Sequence, residues 1–478
     1  MSGKRRRQPP PRKQRRARRP PTRRAAPTRA GAGPDPVVDR IERRWRPIAA
    51  SALFLVAGLL YWFRWAPVVR HRPSLWLAPG DLWVGYRASV AFVHGHFGAV
   101  YAHDLLAMPA YLLVLAPIAA GARSQTTSLV KVTEVGRHLV SSPTSLVAHG
   151  TSALNTQYQA HAGPHAYYIP HPQVFVLLAP VLLVLSSVVL FAADAAAERL
   201  GVAPGRRSVL ALAEATLLFN VTVLWGHPEE ALAIALALYA TLCLVDDRLA
   251  AAGWLLGAAV AVHPLVVVLL PLFLFAAGWR RAPGMLLRSL LPGVVLLLPP
   301  LLADVHATVH ALVLQPTYPN VDFPTPLLGL APKIGAGTVG GGPIRLVSLA
   351  LAVGAGWLAW RWRAKPELVV WSVALILGLR CYTETVMTAY YEWPALAVAV
   401  VVAARRSTAS FVVATAGSVV LTITAQWRIG VYPWWSVQVI GLTAVLATAA
   451  GRELLGETRS LRRPGVEPPQ LAPDALAR

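Results

Sequence analysis

Between residues 48 and 450 the chain is a succession of apolar runs, many close to the roughly 20 residues that carry a helix across a bilayer. Lys and Arg gather at one end of each run. No other feature restricts the fold as much. Charged residues make up only 14% of the chain and hydrophobic ones 55%, against roughly 25% charged in a soluble domain. The deficit excludes a soluble globular domain and points to an all-α, polytopic integral membrane protein.

Basic short loops stay in the cytoplasm, so the runs can be threaded. A first helix over 48–66 goes outward. Residues 105–121 and 172–193 follow; if both crossed, Arg199, Arg206 and Arg207 would lie outside, so one of the two is expected to be re-entrant or interfacial. A helix over 208–225 then goes out, the turn Gly226-His227-Pro228-Glu229-Glu230 lies outside, and 231–245 returns to Asp246-Asp247-Arg248. Residues 251–278 are too long for one helix if Arg280, Arg281 and Arg288 are inside. Pro264 disfavours helical geometry at His263, which predicts two half-helices meeting there, an arrangement tolerated in membranes where it lines a cavity. Helices over 285–303, 345–360, 368–381 and 389–404 follow, with a long Pro- and Gly-rich loop over 304–344, and a hairpin of 409–426 and 436–450 closes the path. The trace makes about 12 crossings with both termini inside. No internal repeat is evident, which weakens an inverted-repeat transporter reading.

Residues 47–450 thus form one transmembrane domain between two cytoplasmic tails, 1–46 and 451–478. Of the 45 Lys and Arg, 17 fall in residues 1–46. The composition of residues 1–36 leaves little to bury, so a disordered arm is expected. It either fixes orientation or touches anionic lipid; nucleic acid is not expected as a partner. Cys243 and Cys381 lie in apolar runs with no metal or redox spacing.

Seven polar clusters fall at the outer ends of these runs: Asp81 with Arg87, His227 with Glu229 and Glu230, His263, Asp304 with His306, Asp322, Arg380 with Glu384, and Arg428. Gathered on one rim, they imply a site for a polar substrate. Leu82, Trp83, Tyr86, Val90, Val93 and Phe97 recur at helical spacing, which predicts a helix lying in the outer interface. Asp81 starts that helix, as a cap, as a chemical group, or as both. Glu229 and Glu230 behind Pro228 also suit a helix start. Arg380 and Glu384 stand four apart and can pair with each other, and His263 can be a satisfied core histidine. Against these readings, charge in a membrane helix is costly and is usually kept for function. The 304–344 loop is either a lid or a slack connection; its glycines lack the strand-to-helix setting of a phosphate cradle.

Asp81-Leu-Trp-Val-Gly-Tyr86, with Gly95 and Tyr101, resembles the opening motif of the bacterial polyprenyl-phosphate-mannose-dependent mannosyltransferases, integral membrane enzymes of GT-C architecture. Tyr168-Ile-Pro170-His-Pro172 resembles their aromatic-Tyr-Pro-Pro helix entry. Gly226-His227 stands where they often carry Gly-Gln, and Gly253-Trp-Leu-Leu-Gly257 with His263-Pro264 resembles their Gly-x-Leu-x-Gly…Lys-Pro. The similarity spans roughly residues 48–280. One extra residue precedes Tyr86, and histidine replaces Gln at 227 and Lys at 263.

The resemblance implies an inverting sugar transfer, mannose above all, from a polyprenyl-phosphate donor to a lipid or glycan acceptor at the outer face of a bacterial plasma membrane. Asp81 would be the general base. Arg87, His227, His263 and Arg380 are candidates for the leaving phosphate, with Tyr86, Glu229, Glu230 and Glu384 as further substrate contacts. No cofactor and no metal are expected. The competing classes are a transporter or flippase for a lipid-linked polar substrate, which predicts ionisable residues at all depths, and an inactive scaffold for envelope assembly.

Overall fold

A computed structural model describes residues 36–65, 76–101, 108–120, 166–169, 172–314, 316–317, 325–327, 333–334, 337–339, 344–361, 365–385, 387–427 and 430–460. Contacts separate residues 1–43 from residues 44–478. Of the first unit the backbone from Pro36 is described, and everything below concerns the second. The expected disorder of residues 1–36 falls almost wholly outside the described residues. The first helix, α1 (Pro36–Leu60), begins at Pro36, and its span long and apolar enough to cross a membrane runs over Arg44–Phe63. Proline is preorganised for the first helical position, and Val37, Val38, Ile41 and Trp45 continue at helical spacing.

The helices that follow are α2 (Gly80–Val93), α3 (Pro109–Ala120), α4 (Pro172–Arg199), α5 (Pro204–Phe219), α6 (Pro228–Val245), α7 (Leu249–Val262), α8 (Leu270–Ala277), α9 (Ala282–Ala303), α10 (Val305–Val309), α11 (Ile344–Arg361), α12 (Pro366–Thr383), α13 (Trp393–Arg405), α14 (Thr408–Thr424) and α15 (Val431–Ser460). α15 is broken at Gly451, where φ is +74°. Among the described residues seven helical stretches are long and apolar enough to cross a membrane, and shorter apolar helices lie beside them. This is the architecture of a polytopic helical membrane protein. Outward-facing apolar side chains such as Leu53, Val184, Leu212, Val294, Val413 and Ile440 form the surface that lipid would cover.

The architecture is helical throughout, with minor additions. Two short antiparallel ribbons are present, β1 (Trp76–Pro79) with β2 (Ala166–Ile169), and β3 (Pro316–Thr317), β4 (Lys333–Ile334) and β5 (Gly337–Val339) in the order β3-β5-β4. In the first, Trp76 opposes Ile169 and Pro79 opposes Ala166, so the strand leading into α2 is pinned to the strand leading towards α4. Ladder pairing over so few residues carries no sequence signal of its own.

Of the two runs of which one was expected not to cross, α3 is the shorter. Its 12 residues reach only about 18 Å at 1.5 Å per residue, whereas α4 has 28. α3 packs on α2, with Ser89 Oγ donating to the Leu112 carbonyl at 2.6 Å. The predicted break at His263-Pro264 is present: His263 is extended (φ −147°, ψ 127°), α7 stops before it, and a 3-10 stretch, Pro264–Leu269, leads into α8.

α7 and α9 pack closely through the glycines of the Gly253…Gly257 motif. A Cβ at Gly257 would collide with the Arg288 carbonyl oxygen and stand 3.0 Å from Pro292. Small residues four apart are what close helix crossings in membranes require.

One end of the bundle is joined by ion pairs. Arg207 at the start of α5 grips Asp194 of α4 through two bonds of 2.8 and 2.6 Å and reaches Glu198 at 3.3 Å. Arg44 adds to the same pair of acids at 3.6 and 3.8 Å. Arg199 meets Asp246 at 2.8 Å, and Arg206 donates to the carbonyl oxygens of Ala404 and Arg406 between α13 and α14. The opposite end is joined by neutral groups. Trp62 donates to the Val223 carbonyl at 2.9 Å, Asn220 to the Ala389 carbonyl at 3.2 Å, and Gln426 to Asn220 at 2.8 Å. His227, Glu229, Glu230, His263 and Arg380 lie towards this second end.

Candidate functional site

α5 leaves its helical ladder in a π-helical turn, Asn220–Leu224, a distortion frequent at functional sites. Gly226 follows with φ of +77°, a conformation open to glycine without strain. The turn presents His227 as the residue before α6, Pro228 at its first position, and Glu229 and Glu230 in its first turn. A surface helix start would leave these acids in water. Instead His227, Glu229 and Glu230 are only 9, 7 and 2% exposed, so a helix-start role alone does not account for them.

His227 Nδ1 lies 2.8 Å from Oε1 of Glu229. Its ring stacks on Tyr390 with centroids 4.1 Å apart, and Tyr390 in turn meets Trp225 and Tyr391. Arg380, from the last turn of α12, places Nη2 3.4 Å from Oε1 of Glu230. Its guanidinium lies 3.9 Å from the ring centroid of Tyr391, a cation–π distance. The expected pairing of Arg380 with Glu384 is replaced by this one. Glu384 has already left the helix with ψ of 144°, and the i,i+4 neighbourhood is lost with it. Arg380 Nε and Glu230 Oε2 are buried and meet no hydrogen-bond partner among the described residues. A buried donor or acceptor left open costs about 1–3 kcal/mol, and each such group calls for a specific explanation such as an unplaced water, an ion or a role in function.

His263 joins the same cluster. It is 5% exposed, its Nδ1 accepts from the Leu265 amide at 3.2 Å, and both Arg380 and His227 lie within electrostatic range of it. One ring nitrogen is thus satisfied locally, as a core histidine would be.

The helix carrying Asp81 approaches from the other side. α2 begins at Gly80, which puts Asp81 within the first turn rather than before it; the structure describes the backbone of Asp81. One turn on, a Cβ at Gly85 would stand 3.3 Å from Cε1 of Tyr111, and Tyr111 lies within the electrostatic reach of Glu229. Tyr111 therefore links α2 to the His227–Glu229 pair. Tyr86 is fully buried, and burial pushes its phenol up to about 12, so it stays protonated at neutral pH. Arg87 is half-buried on the same helix. α3 enters beside His263, where the Met108 amide donates to the Val262 carbonyl at 3.2 Å.

The 304–344 loop is anchored to the site. Thr325 donates from Oγ1 to the Glu384 carbonyl at 2.7 Å and from its amide to the Thr385 carbonyl at 2.9 Å. Asp304 is a helix cap, its Oδ1 accepting from the Ala307 amide at 2.9 Å, and His306 stacks loosely on His310; neither joins the cluster. Asp322 and Arg428 lie outside the described residues. Among the described residues no group of three or more His, Cys, Asp and Glu side chains is placed to hold a metal ion.

Sequence reasoning overlooked Tyr111 and Tyr390, whose partners are distant in the chain, and Tyr391, which covers Arg380. It also overlooked Glu214, which sits within α5 at 1% exposure with neither carboxylate oxygen partnered among the described residues. A single acid inside the apolar run 208–225 was the available signal.

The fold and this polar end define a polytopic membrane protein with a one-sided cluster of buried ionisable and aromatic groups. Compared with known proteins, the chain matches no family model and no curated protein.

Proposed function

We propose that this protein is a GT-C-type membrane glycosyltransferase that moves a sugar, mannose first among the candidates, from a polyprenyl-phosphate donor to a lipid or glycan acceptor. The shorter apolar helices complete a bundle of about 12 crossings, with α2 as a juxtamembrane helix on the outer face and both termini in the cytoplasm. Asp81 takes the acceptor hydroxyl proton, and the hydroxyl oxygen attacks the anomeric carbon with inversion. The sugar's bond to the phosphate breaks, and the polyprenyl phosphate leaves with the electron pair. Arg380, His227 and His263 stabilise the charge that develops on that phosphate.

The observation that carries this reading is the convergence of Arg380 with His227 and His263 beside the helix that begins with Asp81. Arg380 and Glu230 each hold an open hydrogen-bonding position there. The test is transfer of radiolabelled mannose from polyprenyl-phosphate mannose in membranes holding wild type or Asp81→Asn. Asn preserves a helix-start side chain but takes no proton. Transfer by wild type and its loss of about 10²-fold or more in the variant is expected. Transfer by both returns Asp81 to a structural role, and transfer by neither removes mannose-donor activity.

One observation favours the transporter reading. Glu214 lies within the α5 span, well short of the polar end, and an unpartnered acid at such depth is a mark of ion or proton pathways.

A further inference from the structure

At the opposite, basic end of the bundle a groove of about 670 Å³ opens between the first turns of α7 and α9. Arg248, Arg280, Arg281 and Arg288 line it with a single acid, Asp247. Asp247 meets Arg281 at 3.7 Å, and both are well exposed. Four guanidiniums against one carboxylate leave a strong positive excess at one spot. A general bias of basic residues towards this side of the membrane explains arginines here, but not their placement around one concavity.

The surroundings define what the groove can take. Arg288 is half-buried in its wall and donates to the Gly284 carbonyl at 3.2 Å. The groove is walled by Leu249, Ala250 and Ala251 of α7 and by Gly284 and Met285 of α9, and neither helix has a side-chain cap. The first-turn amides of α7 therefore add to the attraction for an anion, whereas α9 adds little, its Ala282 amide donating to the Gly278 carbonyl and Pro283 having no N–H. The guanidinium fork matches phosphate oxygens in pairs. Trp279 is 81% exposed and stacks under Arg280 at 5.2 Å, and Trp254 is exposed one turn into α7. Exposed tryptophans mark the headgroup level of a membrane. From Arg288 an outward-facing apolar stripe, Leu291, Val295, Leu298 and Leu302, runs along α9 at helical spacing and offers a track for an acyl chain.

We infer that this groove binds the phosphate headgroup of an anionic membrane lipid in the leaflet at the basic end, with its chains along α9. The site is independent of the proposed sugar transfer and lies at the other end of the bundle.

Native mass spectrometry of the full-length protein in detergent tests it, with phosphatidylglycerol as the lipid and inorganic phosphate and glycerol 3-phosphate as soluble probes. The joint replacement Arg280→Gln, Arg281→Gln and Arg288→Gln should weaken phosphatidylglycerol binding by about tenfold or more, since each basic residue near a lipid surface contributes about 1 kcal/mol. Replacement of the same three by Lys should keep most of the binding and shows that the groove still forms. Arg361→Gln with Arg405→Gln, at the same end but outside the groove, should leave binding unchanged. Unaltered binding in the triple Gln protein, or equal loss in the Arg361 and Arg405 control, would overturn the inference. Binding of the soluble phosphates without phosphatidylglycerol would also overturn it, in favour of a soluble ligand.

Discussion

Arg380 and Glu230 stand 150 residues apart in the chain, yet their side chains meet at 3.4 Å while the Tyr391 ring covers the guanidinium. This contact joins α12 to the first turn of α6 and holds one buried positive charge at the polar end. Planarity as well as charge is built into it, because the flat guanidinium stacks on the aromatic ring in a way an ammonium does not. Arg380→Lys is expected to retain the fold and to lower sugar transfer by about tenfold or more. Arg380→Ala should lower it by about 10²–10³-fold, the range for loss of one preorganised charge-stabilising donor. The check is kcat for both variants beside thermal unfolding in detergent; equal activity of Lys and Arg would show that charge alone suffices.

At the basic end Arg207 and Asp194 are 8 and 2% exposed at their side chains, and their two short bonds are the tightest contact between α4 and α5. Removing one partner of a buried pair leaves the other uncompensated, at a cost of about 3–5 kcal/mol. Arg207→Ala should therefore lower the melting temperature sharply, and Arg207→Lys by less. Melting followed by intrinsic tryptophan fluorescence decides it; an unchanged midpoint in the Ala variant would mean that Arg44 takes over both acids.

Gly257 allows α7 and α9 their close approach. Gly257→Val should force the helices apart and destabilise the protein by about 1–3 kcal/mol, the usual range for overpacking a filled interface. Gly201, where a Cβ would meet nothing within 4 Å, makes a poor control because of its φ of +72°. Gly354, with helical φ and open space, is the appropriate one, and Gly354→Ala should change stability little.

Glu214 separates the two functional readings. If it is a structural group, Glu214→Gln, which keeps shape and hydrogen-bonding capacity, should leave transfer and stability close to wild type. If ions or protons pass it, the same change should abolish substrate movement across the membrane. Transfer assays and flux into proteoliposomes made with the one variant give the answer.

The spans and breaks were legible because they depend on local chemistry. Pro264 dictated the interruption at His263, and Pro228 with two acids dictated the start of α6. The assembly of the polar end was not legible. Tyr390 under His227, Arg380 beside Glu230 and Gln426 beside Asn220 are pairings across 150 or more residues, and no periodicity encodes them. The exchange of Glu384 for Glu230 as the partner of Arg380 has the same origin. A helix end displaced by a residue changes which neighbours are within reach, and such ends are the least determined feature of a helical sequence.

The ribbon of β1 with β2 carries a consequence for how such a chain varies. It ties Trp76 to Ile169 and Pro79 to Ala166, so the entry to α2, and with it the backbone of Asp81, takes its position from the strand that leads to α4. The residue on which the proposed chemistry depends is thus aligned by a partner strand from well beyond its own helix, and a substitution at Ala166 or Tyr167 that disturbs the ladder should be felt at the start of α2.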